Sequence, residues 1–125
     1  MATYTVLYKF TPEGAKNIRD TVKRTGRIRQ ANARAGFKVR DVFWTQGPYD
    51  MLAIVEAPSE EAMMGAMMNV VGAGNVTSTT MRAFDATEMS RIMAQALPLE
   101  AAPPAAAARR DGAKAAPAAA GRKRR

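Results

Sequence analysis

The chain has 125 residues, a formal net charge of +8 from 19 Lys+Arg against 11 Asp+Glu, and neither cysteine nor histidine. That length suits one domain with an ordinary core and is short for two. Without Cys and His there can be no disulfide, thiolate metal site or thiol nucleophile, and the commonest general base, zinc ligand and haem ligand are missing, so neither a metal nor a cofactor is expected.

The composition divides the chain near Pro98. Residues 98–125 are almost only Ala, Pro, Gly, Lys and Arg, with no aromatic or β-branched side chain, and have too little to bury to offset the entropy of ordering. The expected organisation is a folded domain over 1–97 followed by a disordered basic tail over 98–125. The tail holds 7 cations against 2 acids, which is +5, and residues 1–97 hold 12 against 9, which is +3. No run approaches the ~18 apolar residues of a membrane span, and Met1-Ala2-Thr3-Tyr4 does not open like a signal peptide, so a soluble cytoplasmic protein is expected.

Thr3 to Phe10 alternates, with Tyr4, Val6, Tyr8 and Phe10 on one face, as a first strand requires. Thr11-Pro12-Glu13 then supplies an N-cap, a first-turn proline and an acid, predicting a helix from there to about Ala35, stopped by Gly36. Ala15, Ile18, Val22, Thr25, Ile28, Ala31 and Ala35 form its expected sheet-facing stripe. The spacing drifts between Val22 and Ala31, so a kink or a break is expected near Gly26. Lys16, Arg19, Lys23, Arg27 and Arg34 read as a solvated basic face.

Lys38 to Thr45 is a second strand whose charges, Lys38, Arg40 and Asp41, suit a sheet edge. Gln46-Gly47-Pro48-Tyr49-Asp50 turns the chain into Met51-Leu52-Ala53-Ile54-Val55, which is apolar on both faces and must be covered on both. Ser59 caps a second helix, with Glu60 and Glu61 in its first turn. Its methionines, Met63, Met64, Met67 and Met68, read as apolar filler rather than a soft-metal site. Asn75 to Phe84 is a threonine-rich fourth strand, and Asp85 with Glu88 opens a last helix carrying Met89, Ile92, Met93 and Leu97 that Pro98 closes.

The resulting order, β-α-β-β-α-β-α, defines an α+β class with strands one and three central and strands two and four at the edges. Two helices cover one sheet face and leave the other bare, an apolar area larger than a monomer normally exposes. A homodimer with the two sheets face to face, a dimeric α/β barrel, is therefore expected.

Several stretches taken together resemble the GYD family of small bacterial and archaeal proteins. They are Gly47-Pro48-Tyr49-Asp50 in the hairpin, Asn17-Ile18 and Asp20 with Lys23-Arg24, Val55-Glu56-Ala57-Pro58, Gly74-Asn75-Val76 and Thr79-Thr80-Met81-Arg82-Ala83-Phe84. Pro48 is inserted into the signature, Val22 stands where relatives often carry proline, and the tail lies outside the family pattern. The resemblance implies a ferredoxin-like βαββαβ fold with a four-stranded antiparallel sheet, of the dimeric α/β-barrel type, and no established activity.

Candidate ligand-binding residues near the sheet and hairpin are Tyr8, Trp44, Tyr49, Asp50, Asn75 and Arg82, with Tyr4, Thr79 and Thr80 nearby. Catalysis, if any, would draw on Asp50 as a proton shuttle, with Tyr49 or Arg82 stabilising an oxyanion. The simpler roles are hairpin closure for Asp50 by accepting backbone N–H bonds, and a carboxylate partner such as Glu56 for Arg82. In the tail, Arg109, Arg110, Lys114, Arg122, Lys123, Arg124 and Arg125 form a candidate surface for nucleic acid or another polyanion. Were all of them on phosphates, log K would fall with log salt at a slope of about −6. Three readings follow: a small-molecule-binding or regulatory homodimer, which is favoured; a cofactor-free isomerase or monooxygenase, by fold analogy alone; and a nucleic-acid-associated scaffold acting through its tail.

Overall fold

The computed structural model describes residues 1–98. Met1–Asp85 form one compact unit, and the helix that begins at Ala86 belongs to a second. The first unit contains strands β1 (Ala2–Phe10), β2 (Lys38–Trp44), β3 (Met51–Ala57) and β4 (Val76–Ala83), with helices α1 (Pro12–Lys16), α2 (Thr21–Arg34) and α3 (Glu60–Gly72). Helix α4 (Ala86–Gln95) carries Met89, Ile92 and Met93 at helical spacing. The tail cations from Arg109 onward lie outside the described residues.

All three pairings in the sheet are antiparallel and the order is β2-β3-β1-β4, so the ferredoxin-like α+β arrangement is present with the charged strand at an edge and the apolar strand inside. Register assigns every strand residue to a face. Tyr4 pairs with Val55, Val6 with Ala53 and Tyr8 with Met51, and these side chains point toward the helices. Val6 is fully buried, and Met63 and Met67 of α3 close over it in the same cluster with Phe37. Alternation sends Thr5, Leu7, Ile54 and Leu52 to the opposite face, where Leu7 pairs with both Leu52 and Thr79. Phe43, opposite Leu52, and Met81, opposite Thr5, extend this open apolar surface and are 56% and 43% exposed.

The first helical region differs from the sequence expectation. It is interrupted at Asn17 and a 3-10 turn over Ile18–Asp20, and α2 then runs unbroken through Gly26. The reason lies in a distant loop. Gly14 is buried so tightly under the backbone of Asn75 that a Cβ there would stand 2.0 Å from the Asn75 carbonyl oxygen. Thr11 fastens the same junction: its N–H donates to the Asn75 carbonyl (3.1 Å), its hydroxyl donates to the Gly74 carbonyl (2.6 Å) and accepts from the Gly14 N–H (3.1 Å). With α1 anchored there, α2 must start afresh. At its far end Gly36, at φ 92°, takes the left-handed turn that lets the Phe37 N–H reach back to the Asn32 carbonyl (2.9 Å).

The stripe facing the sheet differs in part. Thr25, Ile28 and Ala31 face inward as expected, whereas Val22 is 66% exposed, Thr21 and Asn32 join the inward side, and α2 buries no side chain completely. A bulge between Val39 and Asp41 bends β2, and the Arg29 guanidinium caps it by donating to the carbonyls of Val39 (2.6 Å) and Arg40 (3.0 Å). Ser59 caps α3 as read from sequence, accepting from the Ala62 N–H (3.0 Å).

These contacts predict opposite outcomes for two glycines. Gly14→Ala must displace the Asn75 backbone and should cost about 2 kcal/mol or more in urea unfolding. Gly26→Ala meets nothing within 4 Å in a helix interior and should stabilise by about 0.5–1 kcal/mol.

Candidate functional site

The hairpin residues form a structural joint. Gly47, at φ 121°, turns the chain, the Thr45 N–H donates to the Asp50 carbonyl (2.9 Å) and the Thr45 hydroxyl donates to the Tyr49 carbonyl (2.6 Å). The Asp50 N–H donates to the Tyr8 carbonyl (2.8 Å), and Asp50 Oδ2 accepts from the Phe10 N–H (2.8 Å). Asp50 therefore closes the hairpin through its carbonyl and pins it to the end of β1 through its N–H and carboxylate. The Tyr49 ring lies beneath Lys9 Nζ, 5.6 Å from its centroid.

Arg82 is engaged elsewhere on the sheet. Its guanidinium donates to the carbonyls of Thr3 (3.1 Å) and Ala83 and stacks over Phe84, 4.3 Å from the ring centroid, with Tyr4 at 5.7 Å. Glu56 pairs instead with Arg40 across the β2–β3 ladder at 3.5 Å, an exposed contact of small energetic weight. Trp44 donates from Nε1 to the Thr21 hydroxyl (3.0 Å), joining β2 to the start of α2.

Between α2, α3 and the helix-covered sheet face lies a cavity of about 510 Å³, within the range of small-molecule sites. Its walls are mainly apolar, with Phe37, Val42, Met51, Val55, Met63 and Met67 among them. Polar groups break this surface at Tyr8, Thr25, Asn32, Asn69 and Asn75, and two arginines, Arg24 and Arg29, reach it from α2. Among the described residues, the Tyr8 hydroxyl has no hydrogen-bond partner, and burial pushes its pKa up to about 12.

Of the residues singled out in the sequence, Tyr8 and Asn75 line this cavity, whereas Trp44, Tyr49, Asp50 and Arg82 do not. Thr21, Arg24, Arg29, Asn32 and Asn69 line it without having been singled out. The available signal was subtle: Arg24 and Arg29 are the α2 arginines that do not fit the basic face through Lys23, Arg27 and Arg34.

A four-stranded antiparallel sheet with α2 and α3 over one face and a partly open, mostly apolar space between the layers defines a ferredoxin-like α+β protein with room for a small molecule. The GYD domain profile matches residues 4–93, and the chain belongs to the GYD domain family. It is similar to a Thermus thermophilus protein named glutamine synthetase and cystathionine beta-lyase binding protein, 29% identical over 93 residues that cover 71% of this chain and 95% of that one. It is also similar in fold to the crystal structure of MtbAldR, with a TM-score of 0.54 and 18% identity. That match covers 67% of this chain, which spans 53% of MtbAldR. Among the described residues, no helix is long and apolar enough to cross a membrane.

Two measurements check the site. In alkaline absorbance titration, one phenol should ionise near pH 12, and Tyr8→Phe should abolish that component. The raised folded pKa stabilises the protein fully below the unfolded value near 10, and this contribution is lost as pH rises toward 12. Asp50→Ala, which strands the Phe10 N–H, should lower stability by about 1–3 kcal/mol in urea unfolding. Asp50→Asn, which keeps an acceptor oxygen, should lower it less.

Proposed function

We propose that this chain is a homodimeric small-molecule-binding protein with a regulatory role. The observation that carries this reading is the cavity of about 510 Å³ with a half-buried Tyr8 whose hydroxyl lacks a partner among the described residues. An apolar space crossed by a few hydrogen-bonding groups suits a ligand that is largely desolvated and held in orientation. Asp50 supports binding over catalysis, because its carboxylate is occupied by the Phe10 N–H and does not line the cavity.

Dimerisation is supported by the open sheet face. Leu7, Leu52, Ile54, Phe43 and Met81 form a contiguous apolar surface, and a second copy of the same face would cover it symmetrically. The name of the Thermus thermophilus relative supports a regulatory role exercised through contact with other proteins. The basic tail adds a polyanion-binding module, argued from its 7 cations.

Native mass spectrometry reads the ligand and the dimer together. A dimer carrying a small-molecule mass increment is expected, and Phe43→Glu should shift it to monomer. A wild-type monomer at micromolar concentration overturns the dimer, and a bare mass that no compound in a metabolite screen raises overturns the ligand-binding reading.

A further inference from the structure

The charge around the cavity is one-sided. Its lining holds Arg24 and Arg29 and contains no aspartate, glutamate or lysine. Neither arginine has a carboxylate partner among the described residues. Arg24 Nη2 donates to the Asn17 carbonyl (3.0 Å) and Arg29 Nη2 to the carbonyls of Val39 and Arg40. A guanidinium has five N–H donors, so both side chains are positioned by these bonds with donors left over. Backbone carbonyls fix where the cations stand without neutralising them.

Helical geometry puts the two on either side of the stripe that faces inward. Thr21, Thr25 and Ile28 run along the middle of this stripe, and Arg24 and Arg29 flank it, about 7.5 Å apart along the helix axis. A negative group held against α2 there would meet positive charge from both flanks. The Asn32 amide lies one turn further along the same helix, and the Tyr8 hydroxyl, without a partner among the described residues, faces the space from the sheet. Beyond them the walls become Met51, Val55, Met63 and Met67, which offer dispersion contacts and no hydrogen bonds.

We infer that the cavity binds an anionic amphiphile, a small carboxylate with an apolar body, its head group held at α2 by Arg24 and Arg29 and its body among the methionines. This rests on the ligand-binding reading above and adds the class of ligand. A neutral apolar compound would leave both cations without a counter-charge. A polyanion such as a nucleotide would have to desolvate its charge against apolar walls. A single anionic head on an apolar chain matches both parts of the lining.

Isothermal titration calorimetry of the full chain with decanoate and with decanol separates head group from chain. Decanoate should bind about tenfold more tightly or better than decanol. Arg24→Gln, Arg29→Gln and the near-isosteric Asn32→Asp should each weaken decanoate by about fivefold or more and leave decanol within about twofold, with folding verified by circular dichroism. Equal affinity for the two compounds, or decanoate binding insensitive to all three substitutions, overturns the anionic class while leaving an apolar cavity. Binding through the basic C-terminal segment would survive Asn32→Asp and would overturn it in the same way. Binding of neither compound overturns the anionic class and removes the support for the cavity as an amphiphile site.

Discussion

The alternation of β1 is the constraint on which the rest of the molecule depends. Because β1 pairs with β3 on one side and β4 on the other, none of its side chains can escape along the sheet, and each must serve one face. Tyr4, Val6 and Tyr8 go to the helices and build the core and the cavity wall. Thr5 and Leu7 go to the open face. A slip of one residue would exchange the two sets and abolish both surfaces at once. The bond from the Phe10 N–H to Asp50, beside the Tyr8–Met51 pair, holds this register where the strand ends.

Core burial and the open space above the sheet are divided between the two long helices. Helix α3 contributes Met63 and Met67 to the buried cluster, and its flexible, unbranched side chains fill an irregular space next to the small residues Ala53 and Ala57. Helix α2 contributes no buried side chain. Its separation from the sheet creates the cavity, at the cost of the dispersion and hydrophobic contacts that closer packing would have brought.

Much of the fold could be read from local pattern, because local pattern caused it. The charges of Lys38, Arg40 and Asp41 belong at an edge, and the apolar run from Met51 to Val55 belongs inside the sheet, where β2 and β1 flank it. Two features escaped for a common reason. The break at Asn17 is imposed by the contact of Gly14 with Asn75, sixty-one positions away, and nothing near Gly14 announces it. Thr25, Ile28 and Ala31 of the expected stripe face inward, but Ile18 and Val22 do not, because amphipathic reasoning assumes that a helix turns its apolar side to a packed core. Here part of what it faces is empty space, and polar residues such as Thr21, Thr25 and Asn32 are tolerated there. Tyr8 and Asn75 were noticed as polar groups near strand ends, whereas the rest of the cavity lining is visible only once the helices are in place.

The way α2 is attached has a mechanical meaning. Trp44 reaches up to Thr21 at the first turn of the helix, and Arg29 reaches down to the β2 bulge further along. These are moorings, in contrast to the continuous adhesive seam that a buried stripe would make. Each mooring consists of hydrogen bonds at solvent-accessible positions, with a net value of about 1 kcal/mol per bond, so a few small, reversible contacts hold this helix over the sheet. The height of the ceiling above the sheet is thus set by the length of its tethers and not by close packing, so the span of the Trp44 and Arg29 side chains, more than apolar burial, fixes the room beneath it.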